Sequence, residues 1–372
     1  MKKILTILLI GAICAITVFS AFGCTPKEVT PEDTEESVKG LSIVCDLQAE
    51  WKKATNTDAS YPQTALVAKA SLIDSNPELV DLIAKLTVEN AKALQNDATS
   101  LINCLREKGA TVPPAFGADG VARTNIIPTF GAKARTDIEN YFNILLAFKP
   151  QLIGKKLPDD AFYYDSSAIE SYITSGQAVT VSKPSDVKTE SITIVLPDGG
   201  PALAMAYLMK NYPEEIAGTK VTYKIVAGAD EIKASVTNGE ADIAIMPTNL
   251  ASILYNGGTP IKLIGTNSYG LLYLLSDSVK KESFSLESLK GQILHVVGQG
   301  GTPEIVLKKI LESANIEYVD GGDEAVEGKV VIKYHTDGSE IIGAFVNEKI
   351  HFAVLGEPAA STAIAKVAAA RS

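Results

Sequence analysis

The stretch SITIVLPDGGPALA, residues 191–204, decides the fold. Its residues 192–196 form an unbroken run of apolar and β-branched side chains, which predicts a strand buried on both faces. Residues 197–201 place two glycines between two prolines, which predicts a turn, and helix-forming residues follow over 202–209. A strand, a glycine turn and a helix in direct succession are typical of a parallel α/β sheet.

The same alternation continues downstream of this stretch. Segments of helical periodicity separate most of the β-rich runs, which predicts doubly wound parallel sheets. The chain has 372 residues, which is too many for one compact core, so we expect an α/β protein with two doubly wound lobes. Further strands are predicted at residues 221–226, 243–246, 261–266, 271–275, 293–297, 330–334 and 352–355.

Upstream of the stretch the pattern is different. Residues 166–190 are rich in Ser and Thr and contain little core-forming material, so we expect a linker with one weak strand at 178–181. The block before this linker is mainly helical. Helices are predicted from Asn76 (an N-cap before Pro77), over about 98–108 and over about 133–148, and strands at 41–45 and 61–68.

The N-terminus has the three parts of an export signal. Two lysines precede an apolar segment, residues 4–19, and small residues lead to Cys24. The ending AFGC resembles the lipobox of bacterial lipoproteins, in which the cysteine is acylated, although Ala21 stands where Leu is commonest. We therefore expect a signal peptide at 1–23, a flexible tether at 24–40 and an extracytoplasmic protein anchored to the membrane by lipid on Cys24. An uncleaved membrane anchor is the alternative.

Composition and motif searches exclude several function classes. The formal net charge of −10 repels phosphate backbones and argues against a nucleic-acid partner. The sequence has no zinc-ligand spacing and no nucleophile elbow, and GQGGT at 298–302 fails the dinucleotide pattern at Pro303. The histidines His295, His335 and His351 are interpreted as core or edge residues. We expect no metal, no cofactor and no catalytic residue.

The cysteines are compatible with export. Cys14 belongs to the expected signal peptide and Cys24 to the lipobox, which leaves Cys45 and Cys104. Both of these lie among apolar residues, so two buried free thiols and a disulfide are the alternatives.

Four predicted strand-to-helix junctions share one chemistry, at 197–201, 247–249, 299–303 and 356–358. Each offers free backbone N–H groups at a helix N-terminus, and in open α/β sheets such loops meet at the carboxyl ends of the strands. Converging helix N-termini suit an anion or the polar end of a zwitterion, although single loops of this kind are also ordinary β–α turns. The segment Asn267–Gly270, with Trp51 and Tyr61, could add aromatic and hydroxyl groups. The candidate ligand-binding residues are Asp198, Gly199, Gly200, Thr248, Asn249, Ser268, Tyr269, Gln299, Gly301, Thr302 and Glu357.

These motifs resemble the nitrate/sulfonate/taurine and thiamine-pyrimidine-precursor family of ABC substrate-binding proteins. The resemblance lies in residues 191–204, in NGEADIAIMPTN at 238–249 and in HFAVLGEP at 351–358, and YPQTALVAK at 61–69 is similar to the family's return to its first lobe. It implies a type II periplasmic-binding-protein fold, with a ligand cleft between two lobes joined by a two-stranded hinge. It also implies a small-molecule solute as ligand, with an ABC permease and its ATPase as partners.

The order of the motifs differs from that of the family, in which the strand at 191 comes first and the block at 41–165 comes last. Here the halves are swapped, either as a natural circular permutation or through a gene-assembly artefact. We expect lobe 1 to comprise 191–277 with 61–165, and lobe 2 to comprise 278–372 with 41–60.

Two other functions are compatible with the fold. One is an enzyme like the pyrimidine-precursor synthases, which resemble these binding proteins but carry a Cys-rich motif and a reactive histidine that have no counterpart here. The other is a sensory or adhesion lipoprotein without transport. Asp198 and Glu357 are the charged side chains of the four loops, which favours a neutral, zwitterionic or amine-bearing solute.

Overall fold

The computed structural model describes residues 40–58 and 60–372. The expected signal peptide, most of the tether and Cys24 lie outside these residues. In the described part, no helix combines the length and the apolar character needed to span a membrane. Cys45 and Cys104 are free thiols, and burial raises the pKa of Cys45 to about 12.

The chain forms two sheets with helices between and around their strands. The strands are β1 (Ser42–Asp46), β2 (Pro62–Lys69), β3 (Ile126–Phe130), β4 (Ser191–Pro197), β5 (Glu215–Ile216), β6 (Thr219–Val226), β7 (Ile243–Pro247), β8 (Ile261–Tyr269), β9 (Leu272–Ser276), β10 (Ile293–Val297), β11 (Tyr318–Asp320), β12 (Val330–His335) and β13 (Phe352–Gly356). The helices are α1 (Leu47–Thr55), α2 (Ala70–Ser75), α3 (Pro77–Glu107), α4 (Ala118–Ala122), α5 (Gly131–Phe148), α6 (Ser167–Ser175), α7 (Ala206–Asn211), α8 (Ala229–Thr237), α9 (Thr248–Asn256), α10 (Thr302–Ser313), α11 (Gly338–Val346) and α12 (Ala359–Ala370).

Each sheet has a parallel centre with antiparallel pairing beside it. Lobe 1 has the strand order β3-β8-β2-β7-β4-β6-β5, with β4 parallel to β6 and β7 and with β2 antiparallel to β7 and β8. Lobe 2 has the order β1-β9-β13-β10-β12-β11, with β10 parallel to β12 and β13 and with β9 antiparallel to β13 and β1. The expected α/β fold of two doubly wound lobes is confirmed.

Two crossovers in the described chain join the lobes. One runs from α1 into β2, and the other runs from β8 into β9 through Gly270 and Leu271. They lie side by side, because the Gly270 N–H donates to the Tyr61 carbonyl at 3.0 Å. This pair of segments is the two-stranded hinge that the resemblance implied.

The lobe boundary differs from the expectation. Residues 191–277 were assigned to lobe 1, but β9 lies in the lobe 2 sheet, where Leu275 pairs with Ala353 of β13 and Ile43 of β1. The boundary therefore falls at residues 270–271. An apolar run predicts a strand but does not identify the sheet that the strand joins.

Residues 166–190 are also more structured than the expected linker. They contain α6, whose first turn is capped by Ser166. Ile169 of α6 belongs to the lobe 1 core, and Tyr172 is also buried. The strand expected at 178–181 is absent from the described elements. Many Ser and Thr residues in a short amphipathic helix obscure its apolar face, which explains the difference.

The predicted helices differ in how closely their bounds match the structure. The Asn76 side chain caps α3 by accepting from the Leu79 N–H at 3.3 Å, with Pro77 in the first turn as expected. The two helices predicted between Asn76 and Lys108 are one element, with non-helical backbone at Asp97 marking the break. The helix predicted over 202–209 is instead a 3₁₀ turn, Gly200–Met205, followed by α7.

Aromatic side chains fill the space around the hinge. Trp51 on α1 meets Tyr61 edge-on with ring centroids 5.5 Å apart, and it meets Tyr141 on α5 at 5.9 Å. All three are buried in one core cluster that contains residues of both lobes. A methyl group at Gly270 would lie 2.2 Å from the Tyr61 ring, so only glycine fits against it.

We predict that Gly270→Ala destabilises the protein by about 1–3 kcal/mol, because the methyl group overpacks a buried aromatic cluster. The matched control is Gly343→Ala in α11, where an added methyl group meets no atom within 4 Å. The free energy of unfolding of this control should rise by roughly 0.5–1 kcal/mol, because alanine is the better helix former. Urea unfolding measures both. Equal effects of the two substitutions would contradict the packing at the hinge.

Candidate functional site

The loops after β4 in lobe 1 and after β13 in lobe 2 meet where the two lobes face each other, a region called the cleft below. Two of the four predicted loops touch there. Gly199 has φ +85°, and a methyl group at Gly200 would lie 3.1 Å from the carbonyl oxygen of Glu357. The absence of a side chain at Gly200 therefore lets the loop after β4 approach the loop after β13.

Other predicted residues use their polar groups within the fold. The Thr248 hydroxyl donates to the Pro62 carbonyl at 2.7 Å, and the Ser268 hydroxyl bonds that of Thr64 at 2.7 Å. Tyr269 donates to Asp137 at 2.6 Å, and burial raises the pKa of Tyr269 above its usual range. These three side chains join α9 to β2, β2 to β8 and β8 to α5.

The loop after β10 is fixed by a buried ion network. The Gly300 N–H donates to the carboxylate of Glu304, which also pairs with Lys308 at 2.6 Å. The Lys308 ammonium reaches Asp320 at 2.7 Å. This network orients the loop that carries two predicted residues, exposed Gln299 and the cap residue Gly301.

Two further predicted residues begin helices at the cleft. Thr302 starts α10, and its side chain hydrogen-bonds Tyr141 of lobe 1, which partly offsets the effect of burial that raises the pKa of Tyr141 to about 12. Asn249 is half-buried in the first turn of α9. Thr302 therefore adds a contact between lobe 2 and lobe 1.

The two acidic candidates are engaged by a segment that the sequence did not single out. We call residues 110–125, between α3 and β3, the strap. Asp198 accepts from the strap's Thr111 N–H at 2.7 Å and from its own neighbour Gly199 at 2.7 Å. Glu357 pairs with the strap's Arg123 at 2.5 Å, and its carboxylate is fully buried. Both carboxylates therefore have partners in the strap.

Asn267 lies near the carboxyl end of β8 and is not among the candidate ligand-binding residues named above. It occupies a bulge at the cleft end of β8, between Thr266, which pairs with Ala65, and Ser268, which pairs with Thr64. Its side chain is 0% exposed, and neither amide atom has a hydrogen-bond partner anywhere in residues 40–58 or 60–372. The neighbouring residues Thr266 and Ser268 are polar as well, so the sequence pattern does not set Asn267 apart.

The histidines pair with one another or with carboxylates. His295 is buried, and burial lowers its pKa to about 4, while its Nδ1 lies 2.8 Å from Nε2 of His335. The Nδ1 atom of His335 lies 3.0 Å from the carboxylate of Glu340, and the exposed His351 pairs with Asp277. Over the residues described, no group of three or more His, Cys, Asp or Glu side chains could hold a metal ion.

Solved structures resemble parts of the chain. A crystal structure described as an ABC transporter from Parabacteroides distasonis is 30% identical over 47% of this chain and 55% of its own, with a TM-score of 0.38. The periplasmic aliphatic sulphonate binding protein SsuA from Escherichia coli is 14% identical over 48% and 57%, with a TM-score of 0.32. The CcmR regulatory domain of Synechocystis is 9% identical over 45% and 73%, with a TM-score of 0.26.

The chain spans about half the length of the first two structures, 55% and 57%. No protein-family model matches it, and no curated protein matches it.

Proposed function

We propose that this protein is the extracytoplasmic solute-binding lipoprotein of an ABC importer, which captures a small organic solute between its two lobes. The observation that carries the proposal is the pair of adjacent crossovers between two separate α/β sheets. Such a hinge lets the lobes rotate as rigid bodies, and a solute that contacts both lobes favours the closed form.

The chemistry of Asn267 supports a ligand in the cleft. A buried amide without partners costs about 1–3 kcal/mol, and a solute that offers both a donor and an acceptor would remove that cost. With Asp198 and Glu357 engaged by the strap, the groups that remain are the Asn267 amide and the backbone N–H groups of the loops. These groups suit a neutral or zwitterionic solute rather than a strong dianion.

We further propose that the chain order is a circular permutation of the family's order. Ser42 at the start of β1 pairs with Ser276, and the next residue, Asp277, binds Arg371 at 2.7 Å. The beginning of β1 and the end of α12 are therefore neighbours in lobe 2. Permutation is tolerated where the joined ends lie close together and the opened ends are exposed.

The ligand proposal is tested with Asn267→Leu. We expect it to stabilise the unliganded protein by about 1–3 kcal/mol, because an unpaired buried amide is removed. We also expect it to weaken solute binding roughly tenfold or more. A thermal-shift screen of neutral and zwitterionic organic solutes on residues 40–372 identifies the solute. At a concentration of a hundred times its Kd, the solute should raise the free energy of unfolding by about 2.7 kcal/mol.

The matched control is Asn90→Leu on α3. Asn90 is equally buried, but its amide donates to the Leu203 carbonyl at 2.9 Å and accepts from the Tyr207 N–H at 2.8 Å. This control should destabilise the protein and leave affinity unchanged. If Asn267→Leu binds the solute as tightly as wild type, Asn267 is not a ligand contact.

The lipid anchor is tested with Cys24→Ser in the full chain. Loss of the acylated thiol should leave the protein unprocessed or release it into the soluble fraction, as seen by detergent partitioning and gel mobility. Cys14→Ser is the control, because that residue belongs to the signal peptide, and it should behave as wild type. A Cys24→Ser protein that partitions and migrates like wild type would refute the lipobox.

A further inference from the structure

The strap is fixed to lobe 1 at its base. The guanidinium of Arg106, in the last turn of α3, donates to the carbonyls of Val112 at 3.0 Å and Pro113 at 2.7 Å. Asp198 adds its bond to the Thr111 N–H on the same side. The base of the strap therefore moves with lobe 1.

The other end of the strap is fixed to lobe 2. Arg123 donates to Glu357 at 2.5 Å and to the Ser361 hydroxyl at 2.8 Å, and Glu357 also accepts from the Ser361 N–H at 3.1 Å. The Tyr273 hydroxyl of β9 donates to the Arg123 carbonyl at 2.8 Å. The strap thus spans the two lobes at the cleft.

Close packing accompanies these polar contacts. A methyl group at Gly120 in α4 would lie 3.0 Å from the Ser361 hydroxyl, so α4 of lobe 1 lies directly on the first turn of α12. Asn125 donates to the Gly270 carbonyl at 2.5 Å, which ties the end of the strap to the hinge. Separating the lobes would have to break the contacts of Arg123 and Tyr273 together.

We propose that the strap is a latch that holds the lobes closed in the ligand-free protein, so that solute reaches the cleft only when the Arg123–Glu357 pair breaks. This inference rests on the proposed function, and it adds a regulatory element to the same site. A carboxylate that is fully buried must keep a partner, so the closed form is favoured as long as Arg123 occupies it. Only the open fraction can take up solute, and the latch sets that fraction.

Trp51 offers a built-in readout, because it is the single tryptophan of the chain and packs between lobe 2 and Tyr141 of lobe 1. We expect Arg123→Gln and Glu357→Gln to raise the open fraction about tenfold each. Acrylamide should then quench Trp51 fluorescence more strongly, and solution X-ray scattering should give a larger radius of gyration. The double variant should open no further than either single variant, because both remove one interaction.

Arg135→Gln is the matched control. Arg135 has a similar exposure, 34% against 30% for Arg123, but it pairs with Glu139 and Asp160 inside lobe 1. It should leave both readouts at wild-type values. Far-UV circular dichroism checks that every variant is folded.

If folded Arg123→Gln matches wild type in quenching and in radius of gyration, the latch is refuted. Both measurements use ligand-free protein, so they stand whether or not any solute binds. Conversely, a failed solute screen would count against the proposed function and leave the latch result intact.

Discussion

The contact between the two crossovers is the constraint on which the rest of the structure depends. Gly270 lies directly on the Tyr61 ring, and its N–H bonds the Tyr61 carbonyl. The first crossover leads from lobe 2 into β2 of the lobe 1 sheet. The second leads from lobe 1 into β9 of the lobe 2 sheet. Each sheet therefore contains a strand that the chain reaches directly from the other lobe.

Most of the polar side chains described above have hydrogen-bond partners within the described part of the fold, and Asn267 does not. Hydroxyls such as Thr248 and Ser268 are paired within the fold, and the acidic candidates Asp198 and Glu357 hold the strap. Asn267 alone of this group keeps an unpaired, fully buried amide among the residues described. The two acidic side chains thus hold the strap.

Sequence reasoning predicted the elements better than their partners. The run at 293–297 and the Asn76 cap were found where the structure has them, because both signals are local. The sheet to which β9 belongs was missed, because pairing with β13 depends on contacts far away in sequence. For the same reason the pairing of Glu357 with Arg123 was not predicted, since the two residues lie 234 positions apart.

The central claim is that residues 40–176 and 177–372 build the two lobes jointly, with Ser42 and Arg371 close together. It is tested most directly by urea unfolding of a rearranged chain. This chain begins at Gln177, runs to Ser372, continues through a short Gly-Ser linker into Gly40 and ends at Gly176. We predict one cooperative transition with the stability of the original chain. Two separate transitions, or no cooperative unfolding, would contradict the account.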